Sequence, residues 1–402
     1  MKFASKVSQE KLLLAILACI QFSHILDFVI IMPLGPQLMR VFSIGPSEFG
    51  WIVSSYTFSA GASGFLSAIL IDKFDRKHFL NFAYAGFLIG TLLCGFSESY
   101  TFLLLARILA GAFAGIVNSC TFAYIGDKIP YERRGKASGV VMSAFSVASV
   151  AGVPLGLILS TKYNWRVPFY SLFVLGSIFG FVSLFLLPNS TKHLEQGENN
   201  KLSPLASLFA IFNNRNHIVA FAFIMCITFS SFSVIPYIAT YMVFNTGMAE
   251  KALSYVYLIG GGSTLVTARI IGRLSDTYGK ATTFRTVASF SIIPIIAITH
   301  LSKIPLLYIL CISTLFFILV SGRMIPAMAM ITSSVSSKNR GSFMSINSSM
   351  QQLASGMAST ISGLIIHKTT SGSLQNYNYV GYLACIFILI SVCIAGKLRV
   401  SS

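Results

Sequence analysis

Apolar stretches of about twenty residues recur along this chain, each closed by a short polar turn. About 20 helical residues, rising about 1.5 Å each, cross the roughly 30 Å hydrocarbon layer of a bilayer. Twelve such stretches are read, at 11–36, 50–71, 78–97, 101–126, 137–161, 167–187, 217–244, 252–274, 284–301, 304–333, 342–366 and 378–396. One link, 188–216, is longer than the rest and lies near the middle of the chain. The pattern predicts an all-α polytopic membrane protein whose twelve transmembrane helices form two six-helix bundles. The N-terminal bundle takes residues 1–188, a linker 189–216, and the C-terminal bundle 217–402. Within the linker, SPLASLFAIF (203–212) reads either as a short amphipathic helix capped at Ser203 or as a flexible tether. The first stretch is too long for a signal-peptide core and no small-residue cleavage site follows it, so it is read as a retained helix.

Composition agrees. The chain is 54% hydrophobic and only 10% charged, where soluble domains carry about 25% charged residues. A soluble globular fold, a disordered chain and a disulfide scaffold are thereby excluded. The formal charge of +17 in a soluble protein would suggest nucleic acid as a partner, but its placement gives another meaning. Alternating loops divide the basic residues twenty against six, with both termini and the long link on the richer side. That bias in short loops predicts cytoplasmic termini, with anionic lipid as the neighbour of the basic loops and no nucleic-acid partner. Compact loops and short tails suggest a bacterial inner (cytoplasmic) membrane. The seven cysteines all fall within spans, dispersed and without a CxxC pair, so neither a disulfide framework nor a metal site is expected.

The halves resemble each other at an offset of about 204 residues. GRLSDTYGK at 272–280 aligns with AILIDKFDR at 68–76, setting Asp276 against Asp72; Arg340 answers Arg134, and Pro236 falls near the place of Pro33. Six helices per half is an even number, so both halves enter from the same face. Their relation is therefore pseudo-symmetric about an axis along the membrane normal, an architecture of transporters that bind between repeats.

With those landmarks the chain resembles the major facilitator superfamily, and within it the twelve-span drug:proton antiporter (arabinose-efflux-permease-like) branch. The loop after span 2, which that family writes G-x-L-x-D-x-x-G-R-K/R, here runs Ala68, Leu70, Asp72, Asp75, Arg76, Lys77, with both glycines replaced; the second copy keeps them as Gly272 and Gly279. The resemblance implies a conformational latch of Asp72, Arg76, Lys77, Asp127 and Asp276, in which Asp72 meets the start of span 11 and Arg76 bridges to Asp127. A carboxylate at a helix N-terminus suits such a device. Arg107 and Gly111 in span 4 match R-x-x-x-G. GVPLG in span 5 (Gly152, Pro154, Gly156) resembles the antiporter packing motif, glycine permitting close helix approach and proline a bend; Ala148 and Leu157 stand where its flanking glycines would be. Trp165, Arg166 and Phe169 open span 6 and read as an aromatic anchor at the outer interface.

Asp27 is the one acid deep in a span. A mid-helix carboxylate costs about 2.5–3.5 kcal/mol on insertion scales and so needs a partner or a wet cavity. Arg107 lies at matching depth, and His24 stands one turn away from Asp27 at i−3. Burial and the Arg107 charge act on this carboxyl in opposite senses, so alternate opening to the two sides would load and unload a proton there. A static buried pair fixing two helices is the other reading. One charge crossing is worth roughly 2.3 kcal/mol per 100 mV. Arg323 sits mid-span 10 with no acid nearby in sequence, placed either to attract an anionic substrate group or to bond backbone carbonyls; Arg269, nearer the cytoplasmic end of span 8, is expected to snorkel. Tyr56, Asn118, Phe232, Tyr237, Met328, Asn347 and Gln351 are further cavity candidates, with Ser348 and Gln352 in the same polar run of span 11. Gly260, Gly261 and Gly262 lack a following Lys-Ser/Thr and read as helix packing.

The leading function is proton-coupled export of small amphipathic compounds by alternating access, by a monomer, with protons and a small-molecule substrate as partners and no cofactor. An uptake symporter for a sugar, siderophore or amino acid is the alternative on the same fold, and a non-transporting sensor a remote one. An enzyme is not expected: an intramembrane aspartyl protease needs two facing acids, and no HExxH occurs.

Overall fold

A computed structural model describes residues 2–71, 74–130, 133–188, 211–335 and 340–399. The first half holds α1 (Lys2–Ile30), α2 (Gly35–Val41), α3 (Pro46–Leu70), α4 (Arg76–Phe96), α5 (Tyr100–Lys128), α6 (Arg134–Val147), α7 (Val153–Lys162) and α8 (Val167–Leu186). A π-helical turn, Ala148–Gly152, joins α6 to α7. The second half holds α9 (Arg215–Thr246), α10 (Glu250–Tyr278), α11 (Lys280–Phe290), α12 (Ile292–Thr299), α13 (Leu306–Gly322), α14 (Met324–Ser333), α15 (Arg340–Ile365) and α16 (Tyr377–Ala395). Taking α6–α7, α11–α12 and α13–α14 as single interrupted spans gives twelve, six to a half, and α2 lies outside them. Residues 72 and 73 and most of the central link fall outside the described residues, and with them the Asp72 arm of the latch and the helix expected at 203–212.

Helix ends follow local chemistry. Asp75 caps α4 by accepting from the Lys77 amide at 2.7 Å, and Ser99 caps α5 by accepting from Phe102 N at 3.2 Å. Pro36, Pro46 and Pro168 occupy first turns, where no amide hydrogen is needed. The sequence pattern predicts span 1 running unbroken to residue 36; it stops at Ile30, and α2 starts afresh at Gly35. Pro33 and Pro36 lack the amide hydrogens that would have carried the ladder on. Spans 9 and 10 break at Ser291 and Arg323, each three residues before a proline, Pro294 and Pro326, whose missing amide leaves a carbonyl of the preceding turn unbonded. The π turn before Pro154 has the same origin. A short antiparallel hairpin, β1 (His367–Lys368) with β2 (Leu374–Gln375), links α15 to α16.

Nine of the described helical spans are long and apolar enough to cross a membrane by composition. The remaining long helices, α3, α10 and α15, carry polar and small residues such as Ser54, Ser55, Gly261 and Asn347. These three lie at the seam: α3 and α15 make the most extensive helix pairing in the molecule, and α10 packs along α7 and the π turn. Their polar faces meet protein and are spared lipid. Outward, Phe82, Phe181, Phe185 and Leu307 are each more than 60% exposed. In water such a surface would aggregate; in a bilayer it is the lipid contact.

Candidate functional site

The charged centre lies between α1 and α5. Arg107 Nη1 donates to Asp27 Oδ2 at 2.7 Å and to the Asp27 carbonyl at 3.2 Å, and neither side chain has any exposure. The guanidinium lies over the Tyr56 ring, 4.3 Å from its centroid, a cation–π contact strengthened by desolvation. Tyr56 donates its hydroxyl to the His24 carbonyl at 3.1 Å and stacks on Phe28 at 5.4 Å. Gly111 allows this assembly: a Cβ there would collide with the Tyr56 backbone of α3, so α5 could not otherwise bring Arg107 over the Tyr56 ring. Gly152 of the π turn and Gly156 of α7 pack against α1 at Leu26 and Ile30, which flank Asp27.

The pair is incompletely satisfied. Asp27 Oδ1, Arg107 Nε and Nη2, and His24 Nε2 are buried without a hydrogen-bond partner among the described residues. Thr91 faces the same carboxyl, although its Oγ1 is likewise outside hydrogen-bonding geometry. Such atoms in a low-dielectric interior are costly, and several of them gather around Asp27, the acid lying deep in a span.

The other sequence candidates take varied places. Arg76 Nε donates to Asp127 Oδ2 at 3.0 Å, and its Nη1 donates to the Ile71 carbonyl. Lys77 lies in the first turn of α4, while Asp276 is exposed near the end of α10. Arg323, 1% exposed, sits at the break between α13 and α14. It donates to Ser230 and Ser231 of α9, both at 2.8 Å, and to Ser291 at 3.2 Å, the break of the neighbouring span. Each serine hydroxyl passes its own hydrogen to a backbone carbonyl of its helix. Arg323 thus bonds serine hydroxyls, not the backbone carbonyls offered by the sequence reading. Asn118 accepts from Gln21 at 2.7 Å and donates to Ser348 of the second half at 2.9 Å. Phe232 stacks on Phe28 across the halves at 5.6 Å. Asn347 is buried with its amide unpartnered, and Gln351 is half-buried. Trp165 packs on Phe42 and Phe169.

Contacts invisible in the sequence close the face opposite the termini. Glu250 of α10 accepts from Gln37 at 2.9 Å and pairs with Arg40, both on α2. Tyr237 of α9 lies within reach of two carbonyl oxygens, Pro46 at 3.2 Å and Ser359 at 2.9 Å, one in each half. A cavity of about 520 Å³ opens beside them, lined by Gln37, Arg40, Tyr163, Trp165, Glu250 and others. Toward the termini, the seam holds a small polar space at Gly64, Ser119, Ser345, Ser349 and Gln352. Arg40 and Glu250 stand 210 positions apart at helix ends, where no periodicity reports them.

A two-half helical membrane protein with a buried carboxylate–guanidinium pair inside one half and breakable polar contacts between the halves has the build of a secondary transporter. Residues 17–359 match the Major Facilitator Superfamily, and the chain belongs to that family of membrane transporters. It is 26% identical over 376 residues to the MFS-type transporter YwfA of Bacillus subtilis (strain 168), covering 92% of this chain and 86% of that one. Over 149 residues it is 32% identical to Multidrug resistance protein 3 of the same organism, 37% of this chain and 29% of that one. Its fold is similar to that of a bacterial homolog of the human lysosomal transporter Spinster in an inward-facing, unoccupied conformation, with a TM-score of 0.76, 13% identity and 97% of each chain covered. The nucleoside transporter NupG is similar too, at a TM-score of 0.74 and 14% identity over 97% of this chain and 99% of that one.

Proposed function

We propose that this transporter exports small amphipathic compounds in exchange for protons, working as a monomer in a cytoplasmic membrane with both termini inside. The observation that carries the reading is the Asp27–Arg107 pair: fully buried, in contact at 2.7 Å, and leaving one carboxylate oxygen without a partner among the described residues. A protonated Asp27 no longer attracts Arg107 as an ion, so the guanidinium relies on the Asp27 carbonyl and the Tyr56 ring. Ionised, the carboxyl draws Arg107 back and tightens α1 on α5. Coupling a proton to the packing of α1 is therefore a local event with two discrete arrangements.

Alternation follows from the seam. The contacts of Glu250 with Arg40 and Gln37, and of Tyr237 with both halves, close the outer side; their release, with the Arg76–Asp127 end of the molecule closing in turn, would expose the centre outward. The drug-resistance relative supports amphipathic compounds as the substrate class. The test is a cell-based accumulation assay with a panel of fluorescent amphipathic dyes, with and without an uncoupler. Cells expressing the transporter retain less dye while the gradient stands and lose that difference when it collapses. Dye uptake driven by the gradient would replace export with import.

A further inference from the structure

The charged centre leaves one feature of α1 unused. Gln21, His24 and Asp27 follow one another at intervals of three residues, about 4.5 Å apart along the axis. At about 100° per residue the row winds by about 60° at each step. It starts at Asp27, enclosed against α5, passes His24, whose ring meets Phe87 of α4 edge-on at 6.5 Å, and reaches Gln21 at the seam. All three side chains are at least nine-tenths buried. Each has a polar atom without a partner among the described residues: Asp27 Oδ1, His24 Nε2 and Gln21 Oε1. Thr91 Oγ1 adds a fourth beside the carboxyl.

The Gln21 amide is oriented by its neighbour. Its nitrogen donates to Asn118, whose own nitrogen donates to Ser348, so the Gln21 acceptor is the end left over. Beyond Asn118 the small polar space begins, and Ser119 and Ser345 face each other across it at 3.5 Å. Ser345 is five residues past the start of α15, which places it about 8 Å from that end of the membrane span. Uncharged polar groups thus mark a route from the carboxyl toward the face that carries the termini. Buried orphans in a row of this kind are the ordinary partners of ordered water.

We infer that Gln21, His24 and Thr91 hold a file of water linking Asp27 to the terminus-bearing face, and that His24 relays the proton along it. The inference rests on the proton-coupled reading above. In the step, the proton leaves Asp27 Oδ1 and the carboxylate re-forms its ion pair with Arg107. Water passes a proton to His24 Nε2, giving the imidazolium. The same nitrogen returns it to the next water, bound at Gln21 Oε1, and the ring is neutral again. Only protons and water move.

The test needs no substrate. The purified full-length protein is jumped from acidic to alkaline buffer, and the carboxylic-acid C=O stretch of Asp27 is followed by time-resolved infrared, assigned by its loss in Asp27→Asn. His24→Gln keeps a polar side chain of similar reach that cannot carry the proton. It should slow decay of the band by about tenfold or more while the equilibrium amplitude stays that of the wild type, a separation that a merely structural effect on the pair would not give. If His24→Gln does not purify folded, Gln21→Leu, which removes the acceptor at the seam and leaves His24, carries the same expectation. Decay at the wild-type rate in the folded variant overturns the relay while leaving coupling at Asp27 intact. A wild-type spectrum with no Asp27-dependent band change across the jump sinks the coupling reading itself, and the relay with it.

Discussion

Gly156 of α7 lies directly against Ile30 of α1, so closely that a Cβ at 156 would stand 2.6 Å from Ile30 Cδ1. One turn earlier Gly152 meets Leu26 in the same way, at 2.7 Å. Leu26 and Ile30 flank Asp27, so these glycines set how tightly α1 is held where its carboxyl meets Arg107. In each case the opposing atom is the tip of a flexible side chain, which can swing aside for one methyl group but not for a branched side chain. Gly156→Ala should therefore leave thermal stability in detergent nearly unchanged, whereas Gly156→Val should lower it by about 1–3 kcal/mol. Equal effects of the two would show that α7 and α1 are not packed as described.

The closure on the face opposite the termini rests on weak parts. Arg40 keeps 47% of its side chain exposed, against 23% for Glu250. An ion pair so open to solvent contributes about 0–1 kcal/mol. Glu250→Gln should accordingly shift the balance between forms closed and open on that face by no more than about fivefold, and added salt should have a similar effect on the wild type. Distances between spin labels on α2 and α10 report this. A complete loss of the closed population would mean the pair outweighs the remaining seam.

Tyr237 is a stronger contributor there because it is wholly buried and lies within hydrogen-bonding reach of carbonyls in both halves. Tyr237→Phe removes one hydroxyl and leaves its acceptors without it, a cost of about 1–3 kcal/mol specific to the closed form. The same spin-label distances should move further toward open than in Glu250→Gln; no movement would place the hydroxyl's partners elsewhere.

How much of this was legible in the sequence differs from one feature to the next. The spans were, because lipid demands about twenty apolar residues whatever the fold, and α3, α10 and α15 were found despite their polar content because polar turns bracket them. The breaks at Ser291 and Arg323 were missed, although Pro294 and Pro326 were there to signal them. Asp27 and Arg107 could be set at the same depth because charges inside spans are so few. Arg323 resisted the same argument: its partners are serines, too common in these helices to stand out, and Ser291 becomes a partner only because its own span breaks there. Arg40 and Glu250, or Tyr237 and Pro46, meet only when two halves dock, a contact that leaves no periodicity behind.

Arg323 separates packing from charge. Its three serine partners already donate to backbone carbonyls, so removing the guanidinium strands no donor of theirs, and an apolar side chain of similar length would fill the site. Arg323→Met should retain or raise thermal stability, as replacing buried charge by packed apolar atoms often does. A loss of about 3 kcal/mol or more would instead make the guanidinium the tie that holds the two broken spans to α9.

The central claim is that Asp27 carries the exchanged proton. It is tested most directly by placing purified protein in weakly buffered solution with a pH indicator and titrating in an amphipathic compound found to be transported. The account predicts that binding releases protons from the wild type, and that Asp27→Asn, still folded and still binding, releases none. Undiminished release from Asp27→Asn would move the exchanged proton to another group and contradict the account.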